Sequence, residues 1–251
     1  MKFCLGSWVY NLRMGNNLLE LLKKIKTYGL RRSFSYIIPE SKRFLRYLLY
    51  GSYSHLGEDL FLAKQFPRDY IGFYIDVGSN DPKRKNNTYY FYKKGWSGIT
   101  IEPDSLCFSK NLIYRPNDIN LNIGVSDSSG NLDFYSFFPS LLNTFSKEDA
   151  DVYVSQGYKL EKILKIKVKK LYEVIKENVP QNLKIDILSI DTEGYDLKVL
   201  KGTNLQKIKP SFICVELLKD SISGEIDIFL RENKYKLIYN NSSNSIYKYE
   251  G

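Results

Sequence analysis

From Ile71 onward the chain alternates short apolar runs with stretches of helical spacing, and it ends on two apolar runs joined by a turn. Ile71–Val77, Gly98–Ile101, Ile119–Val125, Ile185–Ile190 and Phe212–Glu216 have strand length and too few residues for helices. Helical stretches fall between them: one ending near Lys94, then Ser105–Tyr114, Val168–Asn178, one starting at Leu197, and Glu225–Glu232. Such alternation makes right-handed βαβ units and a parallel sheet. Leu132–Phe138 reads as an extra strand after the turn Ser128-Ser129-Gly130, and residues 139–165 read as irregular or helical. Tyr235–Tyr239 and Ser245–Tyr249 face each other across Asn240–Asn244, which adds one antiparallel strand at the end. The expected fold is Rossmann-like α/β, with a mostly parallel seven-stranded sheet closed by a C-terminal antiparallel hairpin. It spans residues 70–251, and residues 1–69 are an N-terminal helical segment.

The charge is placed unevenly along the chain. The net charge is +9, but residues 1–50 hold ten Lys/Arg against two Asp/Glu, and the remainder is nearly balanced. A nucleic-acid-binding body carries its own basic excess, so nucleic acid is not expected as a partner. Asn17 and Glu20 can cap a first helix bearing Leu18, Leu21, Leu22 and Ile25 on one face, ending at Gly29. A second helix follows Pro39 with Phe44, Leu45, Leu48 and Leu49, and a third covers about Leu56–Phe66. These helices pack on the main domain or on a second copy of the chain, or they form a peripheral contact for an anionic membrane or substrate. No run reaches the roughly 20 apolar residues of a membrane span, and no signal peptide is expected. Cys4, Cys107 and Cys214 are scattered and odd in number, which argues against a disulfide framework and fits a reducing cytoplasm.

Two constellations carry chemistry. In Ile75-Asp76-Val77-Gly78-Ser79-Asn80-Asp81 a buried strand ends in an acid, a glycine and a polar turn. Ligands of open α/β sheets bind at such carboxyl ends. Glu102 closes the next strand, 24 positions after Gly78, where a carboxylate can take both hydroxyls of a ribose. Nicotinamide enzymes share that acid but need further glycines where Asn80 and Lys83 stand, which disfavours an NAD(P) oxidoreductase. Ser126 and Asp127, after the third expected strand, are placed to meet an adenine or simply to begin the turn at Gly130. In the second constellation, Leu188-Ser189-Ile190-Asp191-Thr192-Glu193-Gly194, two acids follow the strand expected beside the first. They are candidate bases, alone or through a divalent ion, although Asp191 can equally cap the helix near Asp196. The only histidine, His55, lies in the polar stretch Ser54–Asp59 and is either structural or a third candidate base.

Taken in order, a series of short pieces resembles the FkbM family of methyltransferases. They are Gly57-Glu58-Asp59-Leu60, Gly72–Gly78, Asn87-Thr88-Tyr89, Tyr92–Trp96, Ile101–Asp104, Arg115–Leu121, Leu142–Glu148, Ile190–Gly194 and Val199–Gly202, together spanning about residues 53–218. The resemblance implies a class I methyltransferase fold, S-adenosylmethionine as methyl donor and transfer to oxygen. By position it implies Asp76, Gly78, Asn80, Glu102 and Asp127 at the donor, with Ser126 beside them. It implies Asn87, Thr88, Asn143 and Thr144 at the acceptor, and it leaves the base open among His55, Asp191 and Glu193. The chain departs from the family where His55 replaces a frequent Gln and where Gly78-Ser79-Asn80 replaces Gly-Ala-Asn or Gly-Ala-His. Family members serve glycan and natural-product pathways. The expected acceptor is therefore a sugar hydroxyl, for instance on a nucleotide-activated sugar such as a GDP-heptose or a capsule precursor, and the alternative is a lipid-linked or natural-product acceptor. Tyr153 and Tyr158 in the segment 139–165 could stack on a sugar ring or simply pack.

Overall fold

The computed structural model describes residues 41–216 and 220–251, with the backbone alone for 220–223. Residues 41–50 are helical, as expected after Pro39, and expose Phe44, Leu45, Leu48 and Leu49. The expected first helix lies outside the described residues. Among the described residues no helix is long and apolar enough to cross a membrane.

In residues 51–251 the principal sheet has seven strands. These are β1 (Phe73–Val77), β2 (Ser97–Ile101), β3 (Ile119–Leu121), β7 (Ile187–Ile190), β8 (Phe212–Glu216), β9 (Tyr235–Asn240) and β10 (Asn244–Tyr249), in the order β3-β2-β1-β7-β8-β10-β9. β10 pairs antiparallel with both neighbours, whereas β1, β2, β3, β7 and β8 pair in parallel. The order reverses at β1, so a crevice opens at the carboxyl ends of β1, β2 and β7.

Parity along the strands decides what faces what. Phe73, Ile75 and Val77 join Ile99, Leu188, Ile190, Ile213 and Val215 in one core layer. Tyr74, Ile187, Phe212 and Cys214 pack in the other, against Leu62, Phe91 and Trp96. The helix α1 (Glu58–Ala63) supplies Leu62 and α2 (Tyr89–Lys93) supplies Phe91. Each fully buried large apolar side chain stabilises the fold by roughly 1.5–3 kcal/mol.

A second sheet of three strands, β4 (Gly124–Ser126), β5 (Gly130–Phe138) and β6 (Lys159–Lys170), has the order β4-β6-β5. It revises two readings of the sequence. The expected third strand breaks at Asn122-Ile123, and its second half joins the other sheet because Gly124 lets Phe145 and Val168 approach to within 3 Å of where a Cβ would stand. Residues 159–165 are strand, continuing to Lys170: Leu160, Leu164, Ile166 and Val168 pair with β5 under a face of lysines. The remaining helices are α3 (Ser105–Tyr114), α4 (Lys147–Ser155), α5 (Leu171–Asn178), α6 (Asp196–Thr203) and α7 (Asp220–Glu232).

Candidate active site

Four side chains stand level across the sheet near its carboxyl edge. Thr100, Asp76, Ser189 and Cys214 are register partners on β2, β1, β7 and β8. The segment leading into α2 lies over this polar row. Asn87 Nδ2 donates to Ser189 Oγ at 3.3 Å and to Cys214 Sγ at 3.5 Å. Thr88 Oγ1 donates to Asp76 Oδ2 at 2.7 Å, and Asn86 Nδ2 donates to the same oxygen at 2.9 Å. Asn87 and Thr88, expected at the acceptor, are thus buried and bonded inward.

Arg115 completes this row and carried no role in the sequence reading. Its guanidinium has no solvent exposure. Nη1 donates to Asp76 Oδ2 at 3.0 Å, Nη2 to Thr88 Oγ1 at 2.8 Å, and Nε to Asp118 Oδ2 at 2.8 Å. Tyr74 Oη donates to both oxygens of Asp118. Burial pushes the Tyr74 hydroxyl far up, and the Tyr74, Asp76 and Asp118 neighbours hold the Arg115 proton firmly against the opposing effect of desolvation. Buried charges persist when paired and fully hydrogen-bonded. The signal in the sequence was the stretch Arg115-Pro116-Asn117-Asp118, but its first partner, Asp76, lies 39 residues upstream.

At the tip of β1, Gly78 has φ of +80°, and a Cβ there would stand 1.8 Å from the carbonyl oxygen of Asp191. Glycine is required by the conformation and by the neighbouring loop together. Asn80 follows with φ of +38°, and its amide donates to Glu102 Oε2 at 2.7 Å. Glu102 Oε1 accepts the amide of Asp104 at 2.8 Å. Asp104 in turn caps α3, accepting from the amides of Leu106 and Cys107. Burial pushes the Glu102 carboxyl up to about 8 against these two amides. Each of its oxygens keeps a lone pair for a further donor, which is the capacity a ribose diol requires. Asn122, at the tip of β3, donates to the carbonyls of Glu102 and Pro103. Ser126 ends β4 of the second sheet and Asp127 begins the turn after it; Ser126 Oγ donates to Asp127 Oδ1 and to Tyr195 Oη, and Gly202 of α6 packs on the Ser126 carbonyl.

At the tips of β7 and β8, Asp191, Glu193 and Glu216 bring one carboxylate oxygen each to within 4.8 Å of one another. Glu216 was missed in the sequence, although an acid closing a strand is the same cue that marked Glu102. Glu193 has φ of +52° and Gly194 of +91°, and this left-handed pair folds the loop back. Asp196 fastens it, accepting from the Thr192 amide and hydroxyl and from the Gly194 amide. Thr144 Oγ1 donates to the Glu193 carbonyl at 2.8 Å, and Tyr153 Oη donates to Glu193 Oε2 at 3.1 Å. Burial, then the neighbouring acids, pushes Asp191 up to about 7 and Glu193 and Glu216 well above the ordinary carboxylate range. Burial also pushes Asp196 up to about 6.

The segment after β5 lies over these loops. Asn143 Oδ1 accepts the Phe137 amide at 2.7 Å, and its Nδ2 donates to Asp104. Ser140 Oγ donates to Asn80 Oδ1. His55 Nδ1 lies 3.3 Å from Ser243 Oγ in the turn of the terminal hairpin. Glu58 accepts from Asn241 and Asn244, and Asp59 accepts from Ser52, Ser54 and backbone amides. A cavity of about 470 Å³ adjoins Gly194, lined by Tyr135, Phe145, Tyr195, Lys147, Lys198 and Asp149 among others.

Several solved structures resemble this fold. The FkbM methyltransferase of Methylobacillus flagellatus is 14% identical over 72% of this chain, with a TM-score of 0.44, and the match spans only 44% of that protein's length. A TehB-like S-adenosylmethionine-dependent methyltransferase of Corynebacterium glutamicum is 9% identical over 84% of this chain and 96% of its own, with a TM-score of 0.42. The N-terminal domain of human METTL16 is 14% identical over 78% of this chain and 67% of its own, also with a TM-score of 0.42. No curated protein matches the chain. The family model of the methyltransferase FkbM domain matches residues 76–237, from the acid of β1 into β9 and across every strand tip described above. The chain belongs to the FkbM methyltransferase domain family.

Proposed function

We infer that the chain methylates a hydroxyl oxygen of a sugar, with a nucleotide-activated sugar as the preferred form of the acceptor. The observation that carries this reading is the cavity beside Gly194. It combines Tyr135, Phe145 and Tyr195 with Lys147 and Lys198 and with the acids Asp133, Glu148 and Asp149, next to the acid loop. Aromatic faces stack on sugar rings, and lysines suit a diphosphate.

The bound donor supplies an electrophilic methyl carbon on a sulfonium. Glu102, with a free lone pair on each oxygen, suits its ribose diol, and the loop Gly78–Asn80 lies beside that carboxylate. The acceptor oxygen forms its bond to the methyl carbon as the carbon–sulfur bond breaks, so the two must be held in line. A sugar hydroxyl is a weak nucleophile at neutral pH, and a positioned group must take its proton. Asp191, Glu193 and His55 are the candidates at this end of the sheet, and Tyr153 orients Glu193.

The test is incubation of the full chain with S-adenosylmethionine and a panel of nucleotide sugars, free sugars and lipid-linked sugars. Release of S-adenosylhomocysteine with a product heavier by one methylene supports the reading. Turnover confined to non-sugar acceptors would replace it with the natural-product alternative.

A further inference from the structure

We propose that Asp191, Glu193 and Glu216 together hold one hard divalent cation, Mg²⁺ or Mn²⁺, at the acceptor end of the site. The three oxygens lie within 4.8 Å of one another, a separation that small side-chain adjustments close around an ion with metal–oxygen bonds of about 2.1 Å. The donor set is carboxylate alone, which selects a hard ion over zinc or copper. A cluster of acids proves little by itself, but here one ligand is left open. Among the described residues, Glu216 Oε2 is sealed from solvent and no N–H or hydroxyl donor reaches it. A buried acceptor without a donor calls for a partner, either a proton shared with a neighbouring acid or a cation.

The three ligands come from two adjoining strand tips, and the backbone positions them before any ion arrives. Asp191 and Glu216 end β7 and β8, and the left-handed pair Glu193-Gly194 turns the third carboxyl back toward them. All three side chains remain partly exposed, so an ion can enter and keep open coordination positions. If the acceptor is a sugar, as inferred above, those positions suit its hydroxyl oxygens. The ion would then orient the attacking oxygen and lower its pKa.

Mn²⁺ alone is the probe. The full chain, stripped with a chelator, is titrated with Mn²⁺ while the free ion is followed by electron paramagnetic resonance, with and without S-adenosylmethionine. One Mn²⁺ per chain is expected, displaced by Mg²⁺, with affinity at least tenfold weaker in Asp191→Asn and Glu216→Gln. Absence of saturable uptake, or equal uptake in both variants, overturns the proposal. Should either variant fail to fold, the wild type still decides. Fe²⁺ with ascorbate and peroxide cleaves backbone near a bound ion, and fragments ending near residues 191–194 and 214–217 are expected. Cleavage elsewhere, or none, overturns the site. A flat Mn²⁺ titration with normal S-adenosylmethionine binding removes the ion and leaves the sugar reading standing. Normal Mn²⁺ uptake with no sugar turnover does the reverse.

Discussion

Arg115 Nη1 lies 3.0 Å from Asp76 Oδ2, and water reaches almost none of either side chain. The pair joins the helix side of the molecule to the strand that begins the site. The second carboxylate on the same guanidinium, Asp118, also receives the Tyr74 hydroxyl and the Gly98 amide. The donor-side strands β1 and β2 are therefore braced by one cation.

Replacing Arg115 with Met should leave two buried carboxylates uncompensated and cost about 3–5 kcal/mol of stability. Arg115→Lys should lose less, since it keeps the charge but not the fork of three bonds. Urea denaturation of the three proteins checks this. A Met variant within about 1 kcal/mol of wild type would show that the network does not brace the fold.

With Glu102 as the proposed ribose acceptor, donor binding is expected to depend on pH. Its carboxyl stands at about 8, above its unfolded value near 4.3. The stability tied to that group is complete below about pH 4.3 and is lost as pH rises through about 8. The ribose hydroxyls favour the ionised form, so S-adenosylmethionine affinity should rise toward tenfold per unit between pH 6 and 8 and level off above. Calorimetric titration across that range, with proton release on binding below pH 8, reads it directly. Glu102→Gln should weaken binding by roughly 10–100-fold and flatten the pH dependence.

Tyr153 touches the catalytic end through one bond, its hydroxyl to Glu193. Tyr153→Phe removes a bond worth about 1 kcal/mol to a partly buried acid. Turnover with the acceptor found by the panel should fall about 5–10-fold while S-adenosylmethionine affinity stays within about twofold. Equal losses in both would place Tyr153 in general packing.

The role of His55 is tested at its contact with Ser243. His55→Gln keeps an amide donor within reach of Ser243. Activity should persist, within about threefold, if His55 holds the hairpin, and should drop by about 10²-fold or more if it takes the acceptor proton. The pH–rate profile separates the two, because loss of an acid-side limb accompanies only the second.

The principal sheet was readable because its strands are uninterrupted apolar runs and its last hairpin announces the antiparallel strand. The second sheet was not. Lys162 interrupts the alternate apolar positions Leu160, Leu164, Ile166 and Val168 where the pairing shifts register, and the break at Asn122-Ile123 depends on Phe145 packing over Gly124, a contact between distant residues. The site divides the same way. Asp76, Gly78, Glu102, Asp191 and Glu193 stand in local motifs at strand tips, so position in the chain betrays them. Arg115 and Glu216 acquire their surroundings only on folding, through partners 39 residues away in one case and 23 and 25 in the other. Thr88 and Asn87 match the family pattern, yet their hydrogen bonds run to the sheet interior, which a motif cannot show.

The missing side chain at Gly78 couples two loops that do separate jobs. With the Asp191 carbonyl 1.8 Å from where a Cβ would begin, Gly78→Ala has to wedge the loops apart. Donor grip and acid cluster should then fail in the same variant although neither contact residue has been altered. The join between the two loops is thus the Asp191 carbonyl seated against the Gly78 backbone, in space that any side chain at position 78 would claim.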